Sequence, residues 1–236
     1  MKVVGITDIG LIRKKNEDNY LINESKRLFA VCDGMGGHKA GDIASGLAVQ
    51  VIEDEVKKQA LDITVRFLNT CIEKANKVIY QKGHENQEFH EMGTTLTAAV
   101  ITNGNIQVAN VGDSCLYLIR KDYIRKVTRD HTLAEQMVAD GLLENEELST
   151  SAYNHILTRA LGQDKEVLID NFEERIYPGD IILICSDGLS DMLNSMEIMT
   201  IVNADIEDLD KASQELLDAA LLKGGHDNIT FILIRV

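Results

Sequence analysis

Read for apolar spacing alone, the chain opens with three short strand-like stretches, 2–7, 19–22 and 27–32. Two amphipathic helical patterns follow. Over 40–60 the apolar positions Ile43, Leu47, Val51, Ile52 and Val56 recur at helical spacing, and over 62–81 Leu68, Cys71, Ile72, Ala75, Val78 and Ile79 do the same. Strands then come without helices between them, at 94–101, 105–111, 115–119 and 123–127, with Asn103-Gly104 as a hairpin turn joining the first two. A mixed segment, 131–162, reads as short helices and loop. Strands return at 166–176 and 180–185 around Tyr177-Pro178-Gly179-Asp180, and a helical stretch at 189–222 precedes the last strand, NITFILIRV.

Strands in runs and helices in pairs predict antiparallel sheets covered by helices, an α+β fold, in place of alternating βαβ units. The 236 residues suffice for one large core, and no proline-rich, serine-rich or repetitive run marks a linker, so we expect a single domain over 1–236. Charge narrows the partners. A formal net charge of -14 argues against nucleic acid or an anionic membrane, whose binding rests on Lys and Arg, whereas an acidic surface suits divalent cations. Cys32, Cys71, Cys115 and Cys185 are widely spaced and form no CxxC, which fits reduced thiols. With no apolar run of transmembrane length, and an N-terminus too polar for a signal peptide, the expectation is a cytoplasmic monomer.

The glycine-rich stretch FAVCDGMGGHKAGDIAS, residues 29–45, lies between a strand and a helix and allows two chemistries. A dinucleotide loop would need a third glycine three residues after Gly36, where Lys39 stands, and a parallel strand after the helix, where a second helix follows. A metal turn fits better. Asp33, Asp113, Asp187 and Asp227 each sit at a strand end within two residues of a glycine; singly such Asp and Gly turn residues are ordinary, but four that converge would repel one another unless cations neutralise them. Oxygen donors without a His or Cys cluster favour Mg²⁺ or Mn²⁺.

The motifs TDIGLIRKKNEDNY, AVCDGMGGHKAG, GTTLTAAV, VGDSCLYLI, TRDHTLAEQMVADG, NHILTRALG, CSDGLSDML and GGHDNIT follow one another over nearly the whole chain. In that order they resemble bacterial members of the metal-dependent protein phosphatase family, the protein phosphatase 2C-like serine/threonine phosphatases. The resemblance implies an α-β-β-α sandwich, two central antiparallel sheets flanked by helix pairs, with a binuclear centre at the sheet ends. It also implies roles. Asp33, Asp187 and Asp227 would hold one metal, and Asp33 with the Gly34 carbonyl the second, whose waters Asp18 would orient; Asn228 would support the site by hydrogen bonding. Arg13 would clamp the substrate phosphate, and His38 is a candidate substrate contact. Asp113 with Asp187 would hold a third, weaker ion, and 131–162 would form a flap beside the cleft.

By the same resemblance the substrates are phosphoserine and phosphothreonine proteins, and the partners a Hanks-type serine/threonine kinase and its targets. Met35 stands where many eukaryotic members carry histidine, which leaves the general acid unassigned; Cys115 and His226 also depart from the common pattern. Two other readings stay open here: a non-catalytic binding module of the same fold, and a metal-dependent phosphodiesterase. Retention of every metal-site aspartate weighs against the first, and the acidic charge against a nucleic-acid substrate for the second.

Overall fold

The computed structural model describes residues 1–36, 40–60 and 62–236. From the N-terminus come β1 (Lys2–Asp8), β2 (Asn19–Asn23), β3 (Leu28–Cys32) and β4 (Gly34–Met35), then the helices α1 (Gly41–Lys58) and α2 (Val65–Glu85). Next are β5 (Gly93–Thr94), β6 (Leu96–Thr102), β7 (Asn105–Val111), β8 (Cys115–Arg120) and β9 (Tyr123–Lys126), followed by the short helix α3 (Leu133–Ala139). The chain closes with β10 (Asp170–Arg175), β11 (Ile181–Cys185), α4 (Asp187–Ser190), α5 (Ser195–Ala204), α6 (Leu209–Leu222) and β12 (Ile229–Arg235).

Two five-stranded sheets form, ordered β1-β12-β11-β8-β9 and β10-β7-β6-β3-β2, and every pairing in them is antiparallel. Period-two alternation divides their side chains among three apolar layers. Phe29 and Val31 of β3 face Ile182 and Ile184 of β11 and Ile232 and Ile234 of β12 between the sheets. On the outer faces, Leu28, Ala30 and Cys32 pack toward α1 and α2, while Ile181, Leu183, Phe231 and Leu233 pack toward α5 and α6. The result is the α-β-β-α sandwich.

Where the elements depart from the sequence pattern, packing explains the departure. The buried face of α1 is Gly41, Ala44, Ser45, Ala48, Ile52 and Val56, with Ile43 and Leu47 only partly buried beside it. Small residues over its first half let the helix lie close on its sheet, Ile52 and Val56 complete the buried face, and Ile43 and Leu47 lie on the flank. The stretch 189–222 is not one helix: Asn194 caps α5 by accepting from the Met196 and Glu197 amides, and Asp208 caps α6 by accepting from Lys211. A small ladder, β4 with β5, has no apolar signature and was missed. Cys115 and Cys185 lie opposite each other on β8 and β11, fully buried, with their sulfurs 3.6 Å apart, and face the helix layer as core residues.

The topology also gathers particular strand ends. Asp8 pairs opposite Ile229, Phe231 opposite Cys185, Cys185 opposite Cys115, Asn19 opposite Cys32 and Leu96 opposite Val111. Because neighbours run antiparallel, the C-terminal ends of β3, β7 and β11 share one edge of the sandwich with the N-terminal ends of β2 and β12.

The close approach of α1 yields a test. Ala48→Leu should destabilise the fold by about 1–3 kcal/mol through overpacking, whereas Leu47→Ala, on the flank, should cost less. Denaturant melts that rank the two the other way would show that α1 buries a different face.

Candidate metal centre

At that shared edge a cleft of 1140 Å³ opens, lined by Asp33, Asp113, Asp187, Asp191, Asp227 and Arg13 among others. Each acid enters from its own junction. Asp33 follows β3, Asp113 follows β7, Asp227 precedes β12 and Asp187 is the first residue of α4 after β11, while Asp18 lies just before β2 and is buried behind the cleft.

Burial and mutual repulsion dominate the electrostatics. Burial, then the charges of Asp187, Asp18 and Asp113, holds the Asp33 carboxyl well above the usual carboxylate range. Asp113 is raised likewise by burial and then Asp187, and Asp187 by burial and then Asp227. Asp18 is pushed up to about 7, chiefly by burial, although the Ser186 hydroxyl donates to its Oδ2 at 2.8 Å and opposes the rise. Asp191, at the end of α4, is pushed up to about 6 by burial and then by Asp187. Two oxygens in this group, Asp18 Oδ1 and Asp187 Oδ1, are buried without a hydrogen-bond partner in the protein. Unpaired anionic oxygens among repelling carboxylates are what a hard divalent cation satisfies, so the donor set fits Mg²⁺ or Mn²⁺.

The turns that carry these acids are fixed by backbone contacts. A Cβ on Gly34 would lie 2.2 Å from the Gly41 carbonyl oxygen and 2.5 Å from that of Glu17, so glycine is required where α1 and the residue 17 segment press on the turn. A Cβ on Gly188 would lie 1.9 Å from the Asn228 oxygen. Asn228 itself is committed to the chain: its amide donates to the Ile9 and Lys15 carbonyls, at 2.9 Å and 3.0 Å, and accepts from the Glu17 N–H at 2.8 Å. It therefore holds the 9–17 segment against the start of β12. That segment carries Arg13, whose guanidinium pairs with Asp227 and stays half exposed at the cleft. His38 lies outside the described residues.

The motifs GTTLTAAV, TRDHTLAEQ and NHILTRALG carry polar residues whose role is not evident from the sequence. The structure joins them in one buried network. The Asp33 N–H donates to Thr95 Oγ1 at 2.9 Å, the Asp33 carbonyl accepts from Thr94 Oγ1 at 2.8 Å, and Thr95 Oγ1 meets Ser114 Oγ at 2.7 Å. Thr97 Oγ1 donates to Asn110 Oδ1 at 2.5 Å and to the Ser114 carbonyl at 2.7 Å. His131 Nδ1 accepts from the Gly112 N–H at 3.0 Å, which leaves the ring proton on Nε2, facing Asp170 at 3.3 Å; Arg159 in turn donates to Asp170 at 2.7 Å. The turns of Asp33 and Asp113 and both ends of the 131–162 segment are thus tied together. Their signal was polar residues inside apolar strand motifs, which are costly unless paired.

With this geometry in view, the chain was compared with known proteins. Residues 6–137 and 177–229 match the protein phosphatase 2C family. The chain belongs to that family. It is 36% identical over 236 residues to a serine/threonine phosphatase stp of Listeria innocua, covering 97% of this chain and 93% of that protein. With the protein phosphatase PhpP of Streptococcus pneumoniae it shares 34% over 252 residues, covering 100% and 98%. Among solved structures, the serine/threonine phosphatase Stp1 of Staphylococcus aureus superposes with a TM-score of 0.92 at 32% identity, covering 100% of this chain and 94% of that one. The catalytic domain of the serine threonine protein phosphatase PstP in complex with two manganese ions gives 0.86 at 30% identity, covering 98% and 96%. As a protein phosphatase 2C member, this chain is a metal-dependent serine/threonine phosphatase.

The raised acids make a stability prediction for the metal-stripped protein. An Asp18 carboxyl that titrates near about 7 in the fold, against about 3.9 unfolded, favours folding fully below the lower value and loses that contribution as pH rises through the upper one. In EDTA the melting temperature of the parent should therefore fall more between pH 5.5 and pH 8 than that of Asp18→Asn. Equal slopes for the two proteins would remove Asp18 from the repelling cluster.

Proposed function

We propose that this chain hydrolyses phosphoserine and phosphothreonine esters of proteins at a centre of two Mn²⁺ or Mg²⁺ ions held by Asp33, Asp187, Asp227 and the Gly34 carbonyl. The observation that carries the assignment is the cluster itself: acids from five separate junctions meet at one sheet edge, with two buried oxygens unpaired. When bound, the cations lower the pKa of water from 15.7 toward about 7 and so supply a hydroxide nucleophile without a catalytic Ser, Cys or His.

The protein groups then divide the remaining work. Asp33, reached by the charges of Asp187, Asp18 and Asp113, is central enough to serve both ions. Asp18, held by Ser186, orients waters from behind. Arg13 is charged at any working pH, and its fork, half exposed beside Asp227, is placed to take two phosphate oxygens and hold the ester in line for attack. Asp113 with Asp187 holds a third, weaker ion, since few anionic ligands there offset dehydration. The whole of 1–236 acts as one catalytic domain with a flap at 131–162, in a cytoplasmic monomer that opposes a Hanks-type kinase. Among the described residues no helix is long and apolar enough to cross a membrane.

Phosphate release from a phosphothreonine peptide should vanish in EDTA and return with Mn²⁺, and Asp33→Asn should abolish it in Mn²⁺. Full turnover by metal-free protein would refute the centre, and full turnover by the variant would refute the ligand assignment. Arg13→Ala should raise KM more than it lowers kcat, as expected of a clamp that binds ground and transition states alike. An unchanged KM moves Arg13 out of the substrate site.

A further inference from the structure

We propose that Cys115 and Cys185 form a reversible disulfide when the reduced protein meets a hydroperoxide, and that closing this bond lowers the phosphatase activity. The two residues stand directly opposite each other on β8 and β11, and their sulfurs lie 3.6 Å apart. Residues so placed in an antiparallel pair have Cα atoms about 4.5–5.5 Å apart, inside the range of roughly 4.4–6.8 Å that a disulfide spans. No strand has to change register. Cys32 and Cys71 pack in the opposite outer layer, with α1 and α2, so neither competes for the bond.

Both thiols are buried, but they occupy the end of their ladder. Cys115 is the first residue of β8 and Cys185 the last of β11, where local opening costs less than it does in the middle of a sheet. A hydroperoxide as small as hydrogen peroxide reaches the pair through such openings. One sulfur bonds to a peroxide oxygen as the O–O bond breaks, and the thiol proton leaves in a first water, which gives a sulfenic acid. The second sulfur then displaces the sulfenic oxygen: the S–S bond forms, the S–O bond breaks, and the second thiol proton leaves in a second water. Two thiols have lost two electrons, and one peroxide has been reduced to two waters.

Closure acts on the centre through what lies beside each sulfur. Only Ser114 separates Cys115 from Asp113, and only Ser186 separates Cys185 from Asp187. Both serines are already engaged. Ser114 Oγ meets Thr95 Oγ1, which accepts the Asp33 N–H, and Ser186 Oγ donates to Asp18. Shortening the 3.6 Å contact to the roughly 2.0 Å of an S–S bond therefore pulls on the turns of Asp113, Asp187 and Asp33 and on the partner of Asp18. A disulfide under such strain is readily reduced, so a small thiol reverses the change. The loss of activity, though not the bond, rests on reading these acids as the metal centre.

The test exposes the reduced full chain, loaded with redox-inert Mg²⁺, to hydrogen peroxide and then destroys the excess with catalase. One portion is denatured, alkylated and peptide-mapped without reduction, and another is assayed for phosphate release in Mn²⁺. The parent should yield a peptide cross-linked through Cys115 and Cys185, lighter by two hydrogens than its two thiol peptides together. Its kcat should fall by about tenfold or more, since a displacement of about 1 Å at a reacting centre costs up to about 10²-fold, and dithiothreitol should restore it. Cys115→Ala and Cys185→Ala, treated identically, should keep the rates they show when reduced. Recovery of both parental cysteines as alkylated thiols, or as sulfinic acids without the cross-link, would overturn the proposal, and this map needs no variant to fold. A cross-linked parent with undiminished kcat would overturn the effect on activity. A reduced parent that releases no phosphate would instead refute the phosphatase reading, and the map would still decide the bond.

Discussion

The repulsion among buried carboxylates is the constraint around which this molecule is built. Asp18, Asp33, Asp113 and Asp187 are each raised first by loss of water, and then Asp18, Asp33 and Asp113 by Asp187 and Asp187 by Asp227, so the protein alone does not stabilise the arrangement. Something else must hold the acids together. The three apolar layers do so at a distance: with Phe29, Ile182, Ile184, Ile232 and Ile234 fully buried between the sheets, the strand ends cannot separate without opening the core. Rigidity at the edge is thus obtained from burial elsewhere, and the strain of the acid cluster is left for cations to relieve.

A second requirement is that the turns carrying the acids keep their shape. Here the protein uses close backbone contact and buried hydrogen bonds in place of side-chain bulk. Gly34 and Gly188 admit neighbouring carbonyls where any Cβ would collide, and Asn228 ties three backbone groups of the 9–17 segment to the start of β12. Through that tie Arg13 and Asp227 arrive at the cleft together, although 214 residues separate them.

How much of this could be read from the chain depends on the kind of signal. The strands were legible because β3, β11 and β12 are short continuous apolar runs, buried on both faces, and the acids because Asp33, Asp113, Asp187 and Asp227 stand at the ends of such runs within two residues of a glycine. Of the inward face of α1 the apolar pattern marked Ile52 and Val56 but not Gly41, Ala44, Ser45 and Ala48, which carry little hydrophobic weight. The β4–β5 ladder was hidden for the same reason, being built from Gly34, Met35, Gly93 and Thr94. His155 and Asp191 could not be paired from sequence either: 36 positions separate them, and their side chains meet in a fold in which residues 153–157 are bonded back onto the start of α3.

The polar network ties the 131–162 segment to the centre in a way that neither sequence motif nor cleft shape conveys. His131 opens the 131–162 segment and both donates its backbone N–H to the Gly112 carbonyl and accepts the Gly112 N–H at its ring. Arg159, near the other end, lies 3.2 Å from Nε2 of the same imidazole and donates to Asp170, which also faces it. Gly112 in turn precedes Asp113, and Ser114 meets Thr95, which binds the Asp33 turn. Both ends of the 131–162 segment are therefore bonded to the backbone that presents the acids. Burial and then Arg159 lower the His131 pKa and favour its neutral ring, the state in which Nδ1 is free to accept from Gly112. The base of the segment and the turn of Asp113 share these bonds, so a change that breaks the bonds to Gly112 reaches both.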